Sequence, residues 1–364
     1  MIRVLQVFSV MNRGGSETMI MNYYRNIDRS KIQFDFVVHT KKKGAYDEEI
    51  KSLGGQIFHI PFFYGYNLFS YQKAWHSFFQ LHPDYKIIHI HYFTIAGAIL
   101  PIAKKYNITT RIVHSHIAVK TIPFIRFIRL HSLRFFAIRN ATDRFACGSD
   151  AGFFFFKNKN FVVMNNAIDA EKFKFNPSLR NKIRSKLELN DKFVIGHIGR
   201  FNIQKNHAFV IDVFKEVLNL NKNAVLLLIG EGSLKQEMKD KVLNLGLEDK
   251  VIFTGIRPDI QELLQAMDVF LFPSLYEGLP VTIIEAQAAG LKIIASDTIS
   301  KEANITDLVQ NYSLEKSPAL WAEIVYNNGN KYIHKDTLVE IIDAGFDIKS
   351  NVKWLENFYI SKAI

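Results

Sequence analysis

Short apolar runs rich in β-branched residues alternate with helical segments along the chain, and this alternation restricts the possible folds most strongly. Such runs are typical of strands buried on both faces of a parallel sheet. Repeated strand–helix alternation predicts a doubly wound α/β fold. The expected strands are Arg3–Ser9, Phe34–His39, Gln56–Ile60, Ile87–His91, Arg111–His114, Arg144–Cys147, Phe193–Ile198, Ala224–Ile229, Val251–Thr254, Val269–Phe272 and Lys292–Ser296. The expected helices are Glu17–Asn26, Leu68–Leu81, Thr94–Lys105, Ala208–Asn219, Leu234–Leu245, Ile283–Ala289 and Val352–Tyr359.

The pattern begins again near residue 193, after a polar stretch at 176–191. A chain of 364 residues is long enough for two cores. We therefore expect two Rossmann-like domains that face each other across a cleft, over 1–172 and 173–345. A C-terminal helix within 346–364 is expected to pack back towards the first domain. Ligands of such sheets bind beyond the carboxyl ends of the strands, so we expect the site in that cleft.

Composition excludes several classes of protein. The single cysteine, Cys147, cannot form an internal disulfide, which excludes a disulfide-rich scaffold and a cysteine-rich zinc module. No apolar run reaches the ~18 residues that a membrane-spanning helix needs. The first apolar stretch is too short for a signal peptide and ends at two glycines. We therefore expect a cytoplasmic protein.

Basic residues are concentrated in the first half of the chain. Residues 1–168 carry a net charge of +13 and residues 169–364 carry −2, for a total of +11. The excess peaks in 111–160, where phenylalanines are interleaved (PFIRFIRLHSLRFFAIR, then GFFFFKNKNFVV). This pattern indicates either an acidic partner or a solvated surface. No zinc-finger spacing, basic zipper or RNP motif is present, so we do not expect nucleic-acid binding.

A glycine-containing loop, NRGGSE over 12–17, follows the first expected strand. Gly14 and Gly15 allow the backbone to approach a ligand, and the helix that follows offers N–H groups to an anion. An ordinary strand–helix turn explains the same residues, and the loop lacks the GxGxxG pattern of dinucleotide binding.

Four histidines follow two neighbouring expected strands: His89 and His91 end one, and His114 and His116 follow the next. We expect the two histidines of each pair to face opposite sides of their strand, with one of each pair buried. Zinc sites usually include a carboxylate or a cysteine, and neither is nearby, so no metal is expected. One histidine is expected in the cleft, where a neutral imidazole hydrogen-bonds a substrate hydroxyl.

Two cations lie in the loop after the strand that ends at GHIG. Arg200 and Lys205 follow Gly199 and precede the helix at Ala208–Asn219. Two cations beside a helix N-terminus form a suitable diphosphate site. The spacing differs from that of a P-loop.

Two glutamates lie eight positions apart in PSLYEGLPVTIIE. Glu277 is expected in the loop before a helix that begins near Pro280, and Glu285 on that helix. A carboxylate near strand ends accepts hydrogen bonds from ribose or sugar hydroxyls. A glutamate at the helix start and an ordinary surface glutamate are the structural alternatives.

Together these segments resemble the retaining glycosyltransferases of family 4, which have the GT-B fold. SLYEGLPVTIIEAQAAGLKIIAS matches the family's Glu-x7-Glu motif, and GHIGRFNIQKNH matches its Gly-Arg and Lys motif. NRGGSE, NNAIDAEKF, GEGSLKQEM and FTGIRPDI match further segments, with Ala167 where glycine is common. The resemblance covers nearly the whole chain and is strongest to the exopolysaccharide and capsular polysaccharide subgroup.

This resemblance implies roles for individual residues. Arg200 and Lys205 bind the donor diphosphate, Glu285 binds the ribose, Glu277 lies near the donor sugar, and Gly15 packs against the diphosphate. His116 contacts the transferred sugar, although the H-S-H spacing leaves His114 as an alternative. The implied catalytic residues are His116, Arg200, Lys205 and Glu277. The further donor-binding residues are Gly14, Gly15, Gly199, Phe253, Gly255, Ile256, Gly278, Leu279, Pro280 and Glu285, and the acceptor-side candidates are His114 and Asn12.

The implied reaction is transfer of a hexose or N-acetylhexosamine, with retention, from a nucleotide sugar, by default a UDP-sugar. The implied acceptor is a saccharide, in polymer assembly a lipid-linked one. No cofactor or metal is expected, since no Asp-x-Asp motif occurs. A basic, phenylalanine-rich acceptor domain also suits an anionic membrane at the inner face of the cell membrane. The alternatives are a sugar-nucleotide epimerase of similar fold, a nicotinamide-dependent oxidoreductase and a nucleic-acid binder.

Overall fold

The computed structural model describes residues 1–116, 133–157 and 159–363. The chain divides into two compact units: unit 1 comprises Met1–Ala167 and Asp347–Ile364, and unit 2 comprises Ile168–Phe346. Each unit holds one parallel sheet. The sequence predicts the boundary between the two domains after residue 172, whereas the structure places it after residue 167.

The sheet of unit 1 has seven strands in the order β3-β2-β1-β4-β5-β6-β7. They are β1 (Ile2–Phe8), β2 (Ile32–Val38), β3 (Ile57–His59), β4 (Ile87–Ile90), β5 (Thr110–Ser115), β6 (Asp143–Ala146) and β7 (Val162–Val163). The helices before the second unit are α1 (Gly15–Asn26), α2 (Asp47–Ser52), α3 (Leu68–Leu81), α4 (Phe93–Lys105), α5 (133–140) and α6 (Ser149–Phe156). Strand order reverses between β1 and β4, which makes their carboxyl ends the topological switch point of this sheet.

The sheet of unit 2 has six strands in the order β10-β9-β8-β11-β12-β13. They are β8 (Phe193–Ile198), β9 (Ala224–Ile229), β10 (Val251–Gly255), β11 (Val269–Phe272), β12 (Lys292–Ser296) and β13 (Val309–Tyr312). The helices are α7 (Ala170–Phe173), α8 (Pro177–Lys186), α9 (His207–Leu220), α10 (Lys235–Asn244), α11 (Ile260–Ala266), α12 (Val281–Ala288), α13 (Pro318–Gly329) and α14 (Leu338–Asp343). The switch point of this sheet lies between β8 and β11.

The polar stretch at 176–191 forms a helix that packs within unit 2. Its Arg184 is buried and donates to the carbonyl oxygens of Ala266 and Leu189, both at 2.7 Å. The same side chain lies 3.2 Å from Asp268, whose carboxylate accepts from the backbone N–H of Val194 at 2.6 Å. The packing contacts of α8 are therefore largely polar, which is why its sequence shows no clear apolar periodicity.

The last helix, α15 (Ile348–Ala363), belongs to unit 1. Its Val352, Leu355 and Tyr359 are buried in the core formed around β1, β2 and α1. Trp354 of the same helix is 41% exposed. The buried side is therefore set by the 352–355–359 spacing of an α-helix.

The basic, phenylalanine-rich segment is only partly described, because residues 117–132 lie outside the described ranges. In the part that is described, Phe135 is 59%, Phe136 48% and Phe153 61% exposed. None of the helices within the described ranges combines the length and the apolar character needed to cross a bilayer.

Candidate functional site

Lys205 and Glu277 form an ion pair at the switch point of unit 2. The Lys205 Nζ lies 2.6 Å from Glu277 Oε1, and the two side chains are only 15% and 9% exposed. The ammonium group also lies 4.5 Å from the centre of the Phe272 ring, a cation–π contact. Gln204 donates from Nε2 to the second oxygen of Glu277 at 3.0 Å. Two residues 72 positions apart are thus brought together at the carboxyl ends of β8 and β11.

Hydrogen bonds from the residues next to Lys205 connect the two loops that carry this ion pair. Residues Ile203–Lys205 form one 3-10 turn, whose start is capped by the Asn202 side chain. Asn206 follows in the left-handed region (φ 56°), which asparagine tolerates better than most residues. Its amide donates to the carbonyl oxygen of Pro273 at 3.2 Å, and Leu275 N–H donates to the Gln204 carbonyl at 2.8 Å. These bonds hold the β8 and β11 loops in one arrangement.

Gly199 and Arg200 lie at the end of β8, beside the Lys205 side chain. A Cβ on Gly199 would lie 2.9 Å from both Cγ and Cδ of Lys205, so the glycine gives the lysine stem room to lie across the backbone. The Arg200 side chain is exposed, and in the described part of the chain it takes part in none of the ion pairs. Arg200 is thus available to a ligand, whereas Lys205 is shared with Glu277.

Two glycines that the sequence analysis did not single out shape the same surface. Gly230 and Gly232 follow β9, and a Cβ on either would clash with the β8 loop, on Gly199 and Phe201 respectively. Gly230 also has φ +143°, where a side chain is strained. Phe201 N–H donates to the Glu231 carbonyl at 3.0 Å. The pair of glycines directly after a strand, in GEGSLKQEM, was the signal available in the sequence.

Glu285 lies on α12, one turn after the N-cap residue Pro280. Its side chain is partly buried, and this burial raises the pKa of the Glu285 carboxyl to about 7. Of the residues between the two glutamates, Leu279 and Pro280 are buried and Gly278 is partly buried. The two glutamates therefore differ: Glu277 has a cationic partner, whereas burial disfavours the ionised form of Glu285.

Three of the expected donor-binding residues, Phe253, Gly255 and Ile256, lie at the end of β10 in different surroundings. Phe253 packs against Phe201, with 5.9 Å between ring centres, at the edge of the unit 2 core. Gly255 has φ +72°, and a Cβ there would lie 3.1 Å from Glu231 Oε1. Ile256 is 58% exposed. Ile256 and the backbone of Gly255 are therefore the accessible parts of this segment.

The glycine loop of unit 1 follows β1. The Asn12 carbonyl accepts from Gly14 N–H at 2.9 Å, and its side-chain oxygen accepts from Ala45 N–H at 3.0 Å. A Cβ on Gly14 would meet the Glu17 carboxylate, whereas a Cβ on Gly15 would have no atom within 4 Å. Packing within the protein therefore does not explain the glycine at 15, which begins α1.

The four histidines form a single stack in unit 1, which we call the histidine stack. The ring centres of His89 and His91 are 4.2 Å apart, and those of His114 and His116 are 4.0 Å apart. The expectation that each pair faces opposite sides of its strand is wrong, because residues two positions apart project from the same face. His89, His91 and His114 are buried, and His116 is partly exposed.

The stack lies at the switch point of unit 1 and is neutral. His91 stacks on Phe8 of β1, with ring centres 4.3 Å apart. Burial lowers the pKa of His89, His91 and His114 well below the ordinary value, and that of His116 to about 3. All four imidazole rings are therefore uncharged near neutral pH.

Three nitrogens of the histidine stack lie close together, because His89, His91 and His114 each offer one within 4.8 Å of the others. Hydrogen bonds engage these rings in the structure. His89 bonds Tyr359 Oη at 2.7 Å and His114 Nδ1 at 3.2 Å. The expectation that no metal binds here stays a prediction.

Comparison with known sequences identifies one family and relatives that include two spanning nearly the whole chain. The profile of the family described as "Glycosyl transferases group 1" matches residues 180–323. The chain is 36% identical to "Putative glycosyltransferase EpsF" of Bacillus subtilis (strain 168), over 98% of this chain and 96% of that protein. It is 25% identical to "Capsular polysaccharide biosynthesis glycosyltransferase CapH" of Staphylococcus aureus, over the full length of both.

A third relative and a solved structure extend this comparison. The chain is 27% identical to the "UDP-Gal:alpha-D-GlcNAc-diphosphoundecaprenol alpha-1,3-galactosyltransferase" of Escherichia coli, over 56% of this chain and 54% of that protein. The crystal structure of Anabaena Alr3699/HepE in complex with UDP and glucose is similar with a TM-score of 0.79 and 18% identity, over 99% of this chain and 100% of that one. At this identity the structural likeness concerns the fold alone.

Proposed function

The chain belongs to the group 1 glycosyltransferases, and from this membership we propose that it is a retaining, family 4 hexosyltransferase that uses a nucleotide sugar. It transfers a hexose or an N-acetylhexosamine to a saccharide acceptor. The observation that carries the proposal is the Lys205–Glu277 pair beside the exposed Arg200 at the switch point of unit 2. The epimerase alternative finds no support among the relatives compared.

Lys205 and Arg200 bind the donor diphosphate and stabilise the negative charge that develops on it as the sugar leaves. Arg200 offers a fork of donors and Lys205 a point charge. Glu277 orients Lys205 before the donor arrives, and a bound diphosphate then shares that ammonium group. Because the two cations stabilise the negative charge of the leaving group, the proposed transfer needs no metal and no cofactor.

Residues flanking this pair bind the rest of the donor. Glu285 accepts hydrogen bonds from the ribose hydroxyls, while the backbone at Gly255 and the exposed Ile256 contact the base. We also propose the roles that the family resemblance implies for Gly15, packing against the diphosphate, and for His116, contact with the transferred sugar. The UDP of the HepE complex and the UDP-Gal in the name of the Escherichia coli relative support uridine as the base.

The proposed pathway is exopolysaccharide or capsule synthesis, with a lipid-linked saccharide as acceptor. The name of the Staphylococcus aureus relative refers to capsular polysaccharide. The name of the Escherichia coli relative refers to a diphosphoundecaprenol-linked sugar. An acceptor of that kind is presented at a membrane.

We also propose that unit 1 associates peripherally with an anionic membrane on its cytoplasmic face, through the basic segment in which Phe135, Phe136 and Phe153 are exposed. Co-sedimentation with vesicles at low salt tests this. Binding to anionic and not to zwitterionic vesicles, weakened by Phe136→Ser and unchanged by Ile333→Ser in unit 2, is the expected result. Equal pelleting with both vesicle types, or none with either, contradicts it.

A thermal-shift panel in metal-free buffer tests the donor site. UDP, GDP, ADP, CMP and NAD are compared at equal excess, because a ligand that binds only the folded chain raises Tm. A clear shift with UDP and none with NAD is expected, and Arg200→Ala is expected to abolish it. A shift with another nucleoside diphosphate would correct the base, and a shift with NAD alone would overturn the proposed donor.

A further inference from the structure

Gln6, at the centre of the unit 1 sheet, is fully buried and hydrogen-bonded to the histidine stack. Its Oε1 lies 2.8 Å from His91 Nε2, and His91 Nδ1 lies 2.9 Å from His116 Nε2. An amide oxygen only accepts hydrogen bonds, so His91 Nε2 carries the proton of that ring. A neutral imidazole carries one proton, so His91 Nδ1 accepts, and His116 Nε2 donates to it.

A second set of bonds follows from the same orientation of the Gln6 amide. Its Nε2 donates to the Tyr359 hydroxyl at 3.4 Å, and that hydroxyl donates to His89 Nδ1 at 2.7 Å. His89 Nε2 then donates to His114 Nδ1 at 3.2 Å. Every step of this chain pairs one donor with one acceptor. With the amide turned over, all of these bonds would reverse, and the His116 proton would move to Nδ1.

We propose that Gln6 is a positioning residue that sets the tautomer of His116 through His91, so that His116 presents an unprotonated Nδ1 to a hydroxyl group. An unprotonated ring nitrogen accepts a hydrogen bond from a sugar hydroxyl but repels the lone pairs of a phosphate or carbonyl oxygen. The consequence for catalysis rests on the proposed function, in which His116 contacts the transferred sugar. The tautomer itself does not depend on that function.

The tautomer is measured directly on the full-length protein labelled with ¹⁵N-histidine. Long-range ¹H–¹⁵N spectra distinguish a protonated from an unprotonated ring nitrogen, and the loss of signals in His116→Gln assigns the ring. We expect a protonated Nε2 and an unprotonated Nδ1 in the wild-type chain. A protonated Nδ1 there would overturn the proposal, whatever the variants show.

Three variants link that tautomer to Gln6. Gln6→Met removes the acceptor and is expected to give a mixture of His116 tautomers, whereas Gln6→Glu keeps an acceptor and is expected to restore Nε2 protonation. Gln33→Met is the matched control, because Gln33 is also buried, on the neighbouring β2, but bonds Tyr24 and the Leu53 carbonyl rather than a histidine. An unchanged His116 tautomer in Gln6→Met would overturn the proposal.

Turnover separates this inference from the proposed function. In Gln6→Met we expect kcat to fall by about tenfold with the KM for the donor nearly unchanged, and Gln33→Met to keep both. If the wild-type tautomer is as inferred but no nucleotide binds and no sugar is transferred, the proposed function fails and the tautomer assignment stands. If sugar transfer is measured but the His116 tautomer is reversed, the proposed function stands and the tautomer assignment fails.

Discussion

The two units place their candidate ligand residues at equivalent points of two parallel sheets, but with opposite chemistry. In unit 1 the residues at or just after the carboxyl ends of β1, β4 and β5 include glycines and a neutral histidine stack. In unit 2 the residues beyond β8 and β11 are two cations and a carboxylate. The topology of a doubly wound sheet sets where a ligand binds, and the side chains at the switch point set which chemical groups it recognises.

Burial has different consequences at the two places because the partners differ. In unit 1 it favours the uncharged form of every histidine in the stack, which suits recognition of hydroxyl groups. In unit 2 the partly buried Lys205 has Glu277 as its counter-charge, which suits exchange with a phosphate. Burial alone acts on Glu285, and it raises the pKa of that carboxyl to about 7.

Removal of a cation in unit 2 is expected to have the largest effect. Lys205→Ala and Arg200→Ala should each lower the transfer rate by about a hundredfold or more, because each removes charge stabilisation at the leaving group. Circular dichroism should show an intact fold. Lys335→Ala, which breaks an exposed ion pair with Asp307, is the matched control and should retain activity. Near-normal turnover in both site variants would refute the donor site.

The histidine stack gives the next largest effect and separates two neighbouring residues. His116→Ala should lower turnover by about tenfold to a hundredfold with little change in Tm, because His116 is partly exposed. His114→Ala should instead lower stability by about 2–4 kcal/mol, because it leaves a cavity among buried rings. Denaturant unfolding and initial rates measure the two effects. The reverse pattern would make His114 the ligand residue.

The substitution Gly15→Ala adds a methyl group and tests whether a ligand packs against this position of unit 1. Gly15→Ala should leave Tm unchanged, because the added carbon meets no protein atom within 4 Å. Nucleotide-sugar KM should rise by about tenfold if a diphosphate packs there. Gly97→Ala, whose added carbon would clash with the Leu133 backbone, is the control for steric destabilisation. An unchanged KM would remove Gly15 from the donor contacts.

The smallest effect concerns the pH dependence set by Glu285. Because its pKa in the folded chain is about 7, the ionised form that we propose as the acceptor for ribose hydroxyls is lost as pH falls through 7. UDP affinity should therefore weaken by up to about tenfold per pH unit below 7, and Glu285→Gln should flatten that dependence. Isothermal titration at pH 6, 7 and 8 measures it, with Glu237→Gln on α10 as an exposed control.

Glu285→Gln is also expected to change the pH dependence of stability, which runs in the opposite direction to that of UDP affinity. A raised pKa means that the stability contributed by Glu285 is complete below its ordinary value and is lost as pH rises through about 7. Glu285→Gln should therefore raise Tm at pH 8 more than at pH 5. A Tm difference that does not change with pH would show that Glu285 is not held in a raised-pKa environment.

The sequence was sufficient for the fold class, and the GT-B class with two Rossmann-like domains is confirmed. All of the expected strands are present, because strands buried on both faces are continuous apolar runs. Helix α8 was harder to recognise, because its buried contacts run through Arg184 and Asp268 rather than through an apolar face. Patterns of hydrophobicity do not reveal elements that pack through ion pairs.

The candidate site was less fully predictable. Motif spacing identified Lys205 and Glu277 individually, but only the folded chain brings them within 2.6 Å. The faces of the histidines were misjudged, although a period of two residues already places His89 and His91 together. The need for Gly230 arises from a close approach between two loops that are 31 positions apart in sequence, from Gly199 to Gly230.

The C-terminal helix has a consequence for the order in which the chain folds on the ribosome. Unit 2 is one continuous segment, and the residues of its core all lie within that segment. Most of unit 1 precedes unit 2 in the chain, yet its core needs Val352, Leu355 and Tyr359 from α15. The core of unit 1 therefore cannot close until α15 has been translated, and a stop codon ahead of α15 would leave that core open.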